Sequence, residues 1–382
     1  MGTMTLGASR GRLLAAGVVA AGLTWTAGMP ALASVSQAQA PAVDASDPCR
    51  ISAPGRIVAI GDVHGAFDRF VAILQEAGLV DGRRRWIGGN TVFVQVGDVL
   101  HRGDDSRRVL DLIRQLEGEA ARAGGHVRLL LGNHEVMRMG GDFRYVSKAE
   151  YDAFRNGDSS DLRERLFTHL SGQYEAQARS KGETFDSGGF REKFLETTPL
   201  GSVEMQIAFA ESGDYGRWLR QQAIVAKVGD TAFIHGGLTR EYAALGCAGL
   251  NAVARRDAGK IMVTDPKREE SPLWHPDGPL WYRGLAGVEP EASADDVTAV
   301  LKALDASRLV IGHTVMEPGR IRPRYDGRVI PIDTGMLGGD FYTGGGAAAL
   351  EILGGALTAI YPGRREPLGS RLAPASTSAR RP

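Results

Sequence analysis

The sequence predicts an α/β fold, a layered domain whose sheet strands are buried on both faces. Its apolar, β-branched segments are short, and each of them runs directly into a polar loop. Stretches with a helical pattern separate the first of these segments, which completes the pattern of a layered domain. With 382 residues and 43% hydrophobic content, the chain can form the core of one large domain or of two small ones.

Three strands are predicted in the first part of the domain. They are RIVAI (56–60), which runs into GDVHG, TVFVQV (91–96), which runs into GDVLHRGDD, and HVRLLL (126–131), which runs into GNHE. The segments VAILQEAGL (71–79) and SRRVLDLIRQLEGEAARAG (106–124) lie between them and are predicted to be helices.

Further strands are predicted in the second part. AIVAKV and TAFI precede an HGG that ends at Gly237, SRLVI precedes a GHT that ends at Thr314, and GRVIPI precedes a DTGM that ends at Met336. The last predicted strands are AAALEIL and ALTAIYP.

A segment of about a hundred residues between Glu135 and His235 has a different sequence pattern. Its stretches KAEYDAFRNG and SDLRERLFTHLSGQYEAQARSKG are charged and helical in pattern, and no strand followed by a polar loop recurs before Ala223. We predict a mostly helical insertion at about 139–220. One hypothesis makes it a cap over the strand ends, where loops carry ligand sites, and the other makes it a peripheral decoration without substrate contact.

The two ends of the chain are predicted to lie outside the domain. Residues 1–33 combine two arginines, the apolar stretch LLAAGVVAAGLTW and a final Ala-Leu-Ala, which is the pattern of a secretory signal peptide. An uncleaved anchor is the alternative. We therefore expect a linker at 34–50, the domain at 51–362, a disordered tail at 363–382, and an exported protein, periplasmic or secreted, with no stable membrane span after signal cleavage.

Charge and cysteine content exclude some functions. Lys plus Arg and Asp plus Glu both number 45, so there is no basic surface of the kind that binds a nucleic acid. Separately, we expect the protein to be a monomer. Cys49 and Cys247 are compatible with a disulfide in an oxidising compartment or with two buried free thiols. Neither cysteine has an arginine six positions later, which disfavours a thiolate phosphatase.

Polar residues that can bind metals follow most of the predicted strands. They are Asp62, His64, Asp98, Asn133, His235 and His313. Each alone is more often a turn residue, but five of the eight histidines fall in such loops. Imidazoles mixed with carboxylates and an amide suit a pair of Mn, Fe or Zn ions better than Ca or Mg. Asp98 is the natural bridge, and two such ions lower the pKa of a shared water so that a hydroxide can attack near neutral pH.

The motifs GDVHG, GDVLHRGDD, GNHE, HGG and GHT, in this order, resemble those of the calcineurin-like metallophosphoesterases of the phosphoprotein phosphatase type. Within that type the chain is similar to the bacterial Shewanella-like phosphatases, which share KVGDTAFIHGGL, GPLWYRG and a late IDTG. The resemblance covers roughly residues 56–361. It implies a layered metallophosphoesterase fold, a β-sandwich core flanked by helices. The mostly helical cap insertion, the signal peptide and the tail lie outside the resemblance.

The resemblance also implies roles for individual residues. One metal would be held by Asp62, His64 and Asp98, and the other by Asp98, Asn133, His235 and His313. His134 would protonate the leaving oxygen, while Arg102 and, in GPLWYRG, Arg283 would bind the phosphate together with Asn133.

His101 departs from the family pattern, which has an aspartate hydrogen-bonded to the general-acid histidine. Either Asp104 or Asp333 replaces that carboxylate, or His134 is a weaker acid, or the substitution is simply tolerated in a wet loop. Asp104 or Asp105 is further expected to cap the helix that begins at SRRVLDL.

The predicted function is a dinuclear-metal phosphatase that hydrolyses phosphomonoesters, on a phosphoprotein (phosphotyrosine or phosphoserine/threonine) or a small molecule. The alternatives are a phosphodiesterase or dinucleoside-polyphosphate hydrolase, which use the same metal pair, and a degenerate binding module, for which only His101 speaks.

Overall fold

The computed structural model describes residues 49–51 and 55–369. The predicted signal peptide and most of the predicted linker lie outside the described residues. The strands are β1 (Arg50–Ile51), β2 (Arg56–Ile60), β3 (Val92–Gln95), β4 (His126–Leu129), β5 (Val225–Val228), β6 (Thr231–Ile234), β7 (Arg308–Ile311), β8 (Val329–Pro331), β9 (Ala349–Leu353), β10 (Ala356–Tyr361) and β11 (Arg364–Pro367). The helices are α1 (Phe67–Glu76), α2 (Ser106–Arg122), α3 (Asn133–Met139), α4 (Lys148–Asp152), α5 (Ser159–Ser180), α6 (Ser187–Thr197), α7 (Ser202–Phe209), α8 (Asp214–Leu219), α9 (Arg240–Ala243), α10 (Gly246–Asp257) and α11 (Ala294–Ala303).

These strands form two sheets that pack face to face. One sheet has the order β11-β10-β9-β2-β3-β4 and the other β1-β5-β6-β7-β8. Strand β2 shows why both faces are apolar, because Ile57 and Ala59 belong to the core between the sheets while Val58 and Ile60 belong to the core beneath the helices. The predicted layered α/β fold, a β-sandwich flanked by helices, is confirmed.

Parallel pairing within each sheet places the carboxyl ends of neighbouring strands at the same edge. β2, β3 and β4 are parallel to one another, and so are β6, β7 and β8. The polar loops that follow these strands therefore leave the sandwich at the carboxyl ends of parallel strands, where ligand sites of layered α/β proteins form.

The predicted boundary of the tail is wrong. Residues 364–367 form β11, which pairs antiparallel with β10 from Tyr361↔Arg364 to Thr358↔Pro367. Gly363, with φ 67°, makes the turn, and Leu368 is buried against the core between the sheets. The polar composition of this segment concealed the strand because ladder hydrogen bonds do not depend on side-chain type. At the other end, Arg50 already belongs to β1 instead of the linker.

The insertion is mostly helical, as predicted, and contains α4 to α8. Helices α5 and α6 pack on each other through a cluster of rings formed by Phe167, Tyr174, Phe185, Phe190 and Phe194. Cys49 and Cys247 form a disulfide, with their Cα atoms 6.0 Å apart, so the first of the two open alternatives applies. None of the helices in the described part of the chain is long and apolar enough to cross a membrane.

Candidate active site

The six predicted metal-binding residues all lie at the carboxyl ends of the parallel strands and are all buried. Asp62 and His64 follow β2, Asp98 follows β3, Asn133 begins α3 after β4, His235 follows β6, and His313 follows β7. Both sheets therefore contribute, and hydrogen bonds join the two sets of loops. His235 Nδ1 lies 2.9 Å from the carbonyl oxygen of Val96, and the amide of His313 donates to Asp62 Oδ1 at 3.0 Å.

Asp98 lies between two groups of ligand atoms. Its Oδ2 is 3.8 Å from His64 Nε2, and its Oδ1 is 3.3 Å from His235 Nε2. Two sets of side chains, His64, Asp98 and His134 and then Asp98, His235 and His313, each bring their ligand atoms within 4.8 Å of one another. Asp98 is the member common to both, as a bridging carboxylate would be.

Backbone hydrogen bonds place a proton on Nδ1 of two predicted ligand histidines, which leaves Nε2 as the nitrogen for a metal. His64 Nδ1 lies 2.9 Å from the carbonyl oxygen of Leu100, and a carbonyl can only accept, so this nitrogen carries the proton. The same reasoning applies to His235 Nδ1 at Val96. Both Nε2 lone pairs then face Asp98, and a ligand imidazole held in this way by a backbone carbonyl is typical of metal sites.

Two further observations fit a metal centre. His313 Nε2 is buried and has no hydrogen-bond partner among the described residues. Asn133 Oδ1 lies 3.0 Å from His235 Nε2, so when the His235 ring is neutral with its proton on Nδ1, two acceptor atoms point at each other. A divalent ion among these atoms would satisfy all three, and the residues present therefore fit the metals that the motifs imply.

The charges of the site need a cation. Burial raises the pKa of Asp62 well above its usual range, and the nearby carboxylates of Asp333 and Asp98 raise it further. Burial, with a smaller contribution from the Asp98 carboxylate, raises the pKa of Asp333 to about 6. Burial alone would also raise the pKa of Asp98, but the His235 and His134 imidazoles hold it well below its ordinary value. Three buried carboxylates this close repel one another, and bound cations would relieve that repulsion.

The loops hold their residues in strained backbone conformations. Nine non-glycine residues in the described part of the chain have positive φ, and five of them lie here: His64, Asp98, His101, Arg102 and His313. Each such residue costs on the order of 1–3 kcal/mol, and strain of this kind concentrates at functional sites. These strained conformations lower the stability of the folded state, and in return they orient the side chains toward the site.

Glu135 is a site residue to which sequence reasoning assigned no role. Its buried carboxylate accepts from the amides of Gly132 at 2.8 Å, Asp98 at 2.8 Å, Val99 at 3.0 Å and Leu100 at 3.2 Å. It thereby joins the loop after β4 to the loop after β3. The glutamate of the GNHE motif was the signal that could have revealed it. Gly132 is required beside it, because a Cβ there would meet Asp98 Oδ1 at 2.2 Å.

The two predicted phosphate-binding arginines both reach the site. Arg283 Nη1 donates to the carbonyl oxygen of His313 at 2.7 Å and to Thr314 Oγ1 at 3.0 Å. Arg102 Nη1 lies 2.7 Å from His64 Nε2 and donates to Tyr342 Oη. Tyr342 comes from a glycine-rich loop whose sequence gave no signal of a site residue.

The start of the insertion also contacts the site. The carbonyl oxygen of Tyr145 accepts from the amide of Arg102 at 2.8 Å, and the Tyr145 ring lies 5.4 Å from that of His134. The start of the insertion therefore lies against two predicted site residues, at the place where a cap would lie. Helices α5 and α6 pack on each other, and α5 also packs on α7.

His101 occupies the position next to His134, with 2.9 Å between the two Nδ1 atoms. Neither of the carboxylates considered as substitutes for the missing aspartate is there. Asp104 is exposed, and Asp333 lies beside Asp62. The capping prediction was half right, because Asp105 is the residue before α2 but its carboxylate accepts from Arg108 and makes no capping hydrogen bond.

The fold and the site together define a metal-dependent hydrolase, and comparison with known proteins gives its family. Residues 55–317 match the family described as calcineurin-like phosphoesterase, so the chain belongs to the calcineurin-like phosphoesterases. The predicted family and the predicted enzymatic hydrolysis of phosphoesters are thereby confirmed. A degenerate binding module has no support left, because none of the predicted ligand positions is lost.

Individual relatives lie among the Shewanella-like phosphatases. The chain is 34% identical over 307 residues to Shewanella-like protein phosphatase 2 of Arabidopsis thaliana, covering 76% of this chain and 73% of that protein. It is 25% identical over 285 residues to Shewanella-like protein phosphatase 1 of Plasmodium berghei, covering 74% and 67%. Among solved structures, a cold-active protein-tyrosine phosphatase of a psychrophilic Shewanella species is similar with a TM-score of 0.63 and 25% identity, over 84% of this chain and 82% of that one.

Proposed function

We propose that the protein is a dinuclear-metal phosphatase that hydrolyses phosphomonoesters of proteins. The single observation that carries this proposal is the position of Asp98, whose two oxygens face two different groups of imidazoles. A carboxylate shared in this way is suited to bridge two ions. We infer Mn, Fe or Zn, because the ligand atoms are a mixture of imidazole nitrogens and oxygens.

The metals, when bound, would activate a water as nucleophile and offset the negative charge of the phosphate. The chain supplies the remaining functions. Arg102 lies in the loop after β3, and Arg283 lies between β6 and β7. Both would provide guanidinium groups for the phosphate oxygens. Asn133 is a further polar group for the substrate. His134 Nε2 lies 3.8 Å from Asp98 Oδ2, beside the residues that would hold the metals, and would donate a proton to the leaving oxygen.

Phosphoproteins are the proposed substrates because the Arabidopsis and Plasmodium relatives are named protein phosphatases. The similar Shewanella structure is named a protein-tyrosine phosphatase, which favours phosphotyrosine over phosphoserine or phosphothreonine. A small phosphomonoester remains the second candidate.

The test is an assay of metal-stripped protein with Mn²⁺ restored. We expect hydrolysis of p-nitrophenyl phosphate that chelation abolishes and Mn²⁺ restores, with Asp98→Asn as the inactive control. Phosphotyrosine and phosphoserine peptides, bis-p-nitrophenyl phosphate and a dinucleoside tetraphosphate are then compared. Full turnover without metal would refute the mechanism, and faster cleavage of the diester or the dinucleotide would favour the alternative substrates.

We also propose that the protein is exported to the periplasm or the medium and acts there as a monomer. The amino-terminal sequence pattern supports export, and a disulfide between Cys49 and Cys247 is compatible with an oxidising compartment. Cell fractionation with amino-terminal sequencing tests this, and a cytoplasmic protein that retains residues 1–33 would contradict it.

A further inference from the structure

A buried chain of polar side chains lies behind His134 and leads away from the metal residues. Arg138 Nη2 donates to Glu150 Oε2 at 3.1 Å, and Arg138 Nε donates to His101 Nε2 at 3.0 Å. His101 Nδ1 then lies 2.9 Å from His134 Nδ1. All four residues are at most 2% exposed, so water cannot substitute for any of these contacts.

The donors and acceptors along this chain can be assigned from chemistry alone. A guanidinium has only donors, so His101 Nε2 must accept from Arg138 and carries no proton. The proton of the neutral His101 ring is therefore on Nδ1, which donates to His134 Nδ1. His134 Nδ1 in turn accepts, and the proton of His134 is left on Nε2, the nitrogen that faces Asp98.

Contacts from the insertion hold Arg138 in place. Glu150 belongs to α4, and α7 provides Met205, whose sulfur lies 3.0 Å from Arg138 Nη1. The guanidinium also lies 4.9 Å from the centre of the Phe209 ring at the end of α7. A buried arginine with a carboxylate, a sulfur and a ring around it has one orientation, and that orientation directs its Nε–H at His101.

We propose that Arg138 and Glu150 are positioning residues that, acting through His101, fix the proton of His134 on Nε2. The proposal rests on the proposed function, since it is there that a hydrogen-bond donor at Nε2 meets the leaving oxygen. It also means that His134 is a donor to the substrate and not a metal ligand, although its ligand atom groups with those of His64 and Asp98. A carboxylate therefore still acts on the histidine pair, but through the intervening Arg138.

The first test reads the protons directly. Long-range ¹H–¹⁵N correlation spectra of the Zn²⁺-loaded full chain, labelled in its eight histidines, report which ring nitrogen is protonated. We expect the Nδ1–H form for His101 and the Nε2–H form for His134, assigned with His101→Gln and His134→Gln. The opposite form at either ring would overturn the proposal, whether or not the protein hydrolyses any ester.

The second test compares variants that remove or keep the donor. Arg138→Met combined with Glu150→Met removes both charges together and so leaves no buried charge unpaired, while Arg138→Lys keeps a positively charged donor. We expect the double variant to lose the fixed proton pattern and Arg138→Lys to retain it. Both should keep the Zn²⁺ content of the unmodified protein.

Kinetics of the same proteins separate positioning from mere stability. Loss of a fixed donor affects poor leaving groups most, so in the double variant kcat for a phosphoserine peptide should fall about tenfold more than kcat for p-nitrophenyl phosphate, with KM unchanged. Arg138→Lys should restore the ratio. An unchanged ratio in a folded, Zn²⁺-loaded double variant would overturn the proposal. An unmodified protein inactive on every ester would instead refute the proposed function and leave the spectra to decide the positioning role.

Discussion

Replacing His101 by aspartate is the most informative single change at this site. The carboxylate oxygen of aspartate and the Nδ1 of histidine are both one bond beyond Cγ, so one oxygen of the new carboxylate would stand where His101 Nδ1 now lies 2.9 Å from His134. A carboxylate can only accept a hydrogen bond, which reverses the present arrangement. His134 must then carry a proton on Nδ1, and a proton on Nε2 makes it a cation and a stronger acid.

The size of the effect follows from the new contact. A hydrogen bond to a charged group contributes about 1.5–3 kcal/mol, which corresponds to a factor of ~10 to ~150 in rate. Arg138, now 3.0 Å from the His101 ring, would pair with the carboxylate and keep it ionised. We therefore expect kcat on phosphoserine peptides to rise about 10- to 100-fold, within the range of general-acid catalysis. Aryl phosphates need little protonation and should change by less than about threefold.

The assay is steady-state kinetics of both proteins on phosphoserine and phosphotyrosine peptides and on p-nitrophenyl phosphate. His101→Asn is the matched control, because it has the same shape as aspartate without the charge and should not raise the alkyl rate. Equal changes for alkyl and aryl esters, or the same gain with asparagine, would show that the charge beside His134 does not limit leaving-group departure.

Two further predictions concern the metal and phosphate residues. Asp98→Asn should lose more bound metal than Asn133→Ala, measured by elemental analysis after dialysis, because it removes the charge that faces both groups of imidazoles. Equal losses would show that Asp98 is not the bridge. Arg102→Ala should lower kcat/KM by about 30- to 1,000-fold, or about 2–4 kcal/mol, because one charge-assisted contact to the phosphate is lost. Its metal content should stay unchanged, and an unchanged kcat/KM would mean that Arg102 does not contact the substrate.

The strands were predictable from sequence because burial on both faces demands continuous apolar runs. The bounds of β2 and β6 agree with the predicted segments, and those of β3 and β10 differ by one residue at one or both ends. β11 was missed because it lies at a sheet edge, where backbone pairing suffices and polar side chains are tolerated.

The sequence by itself determined the family, the layered fold and the residues at the strand ends, because short polar motifs directly after buried strands are local features. Only the tertiary structure decided which groups surround His134. Arg138 and Glu150 lie 37 and 49 positions after His101, on α3 and α4, and carry no motif that relates them to it. Their contacts arise because the insertion packs α4 and α7 against α3, and a hydrogen bond between buried side chains depends on their separation in space, which spacing along the chain does not specify.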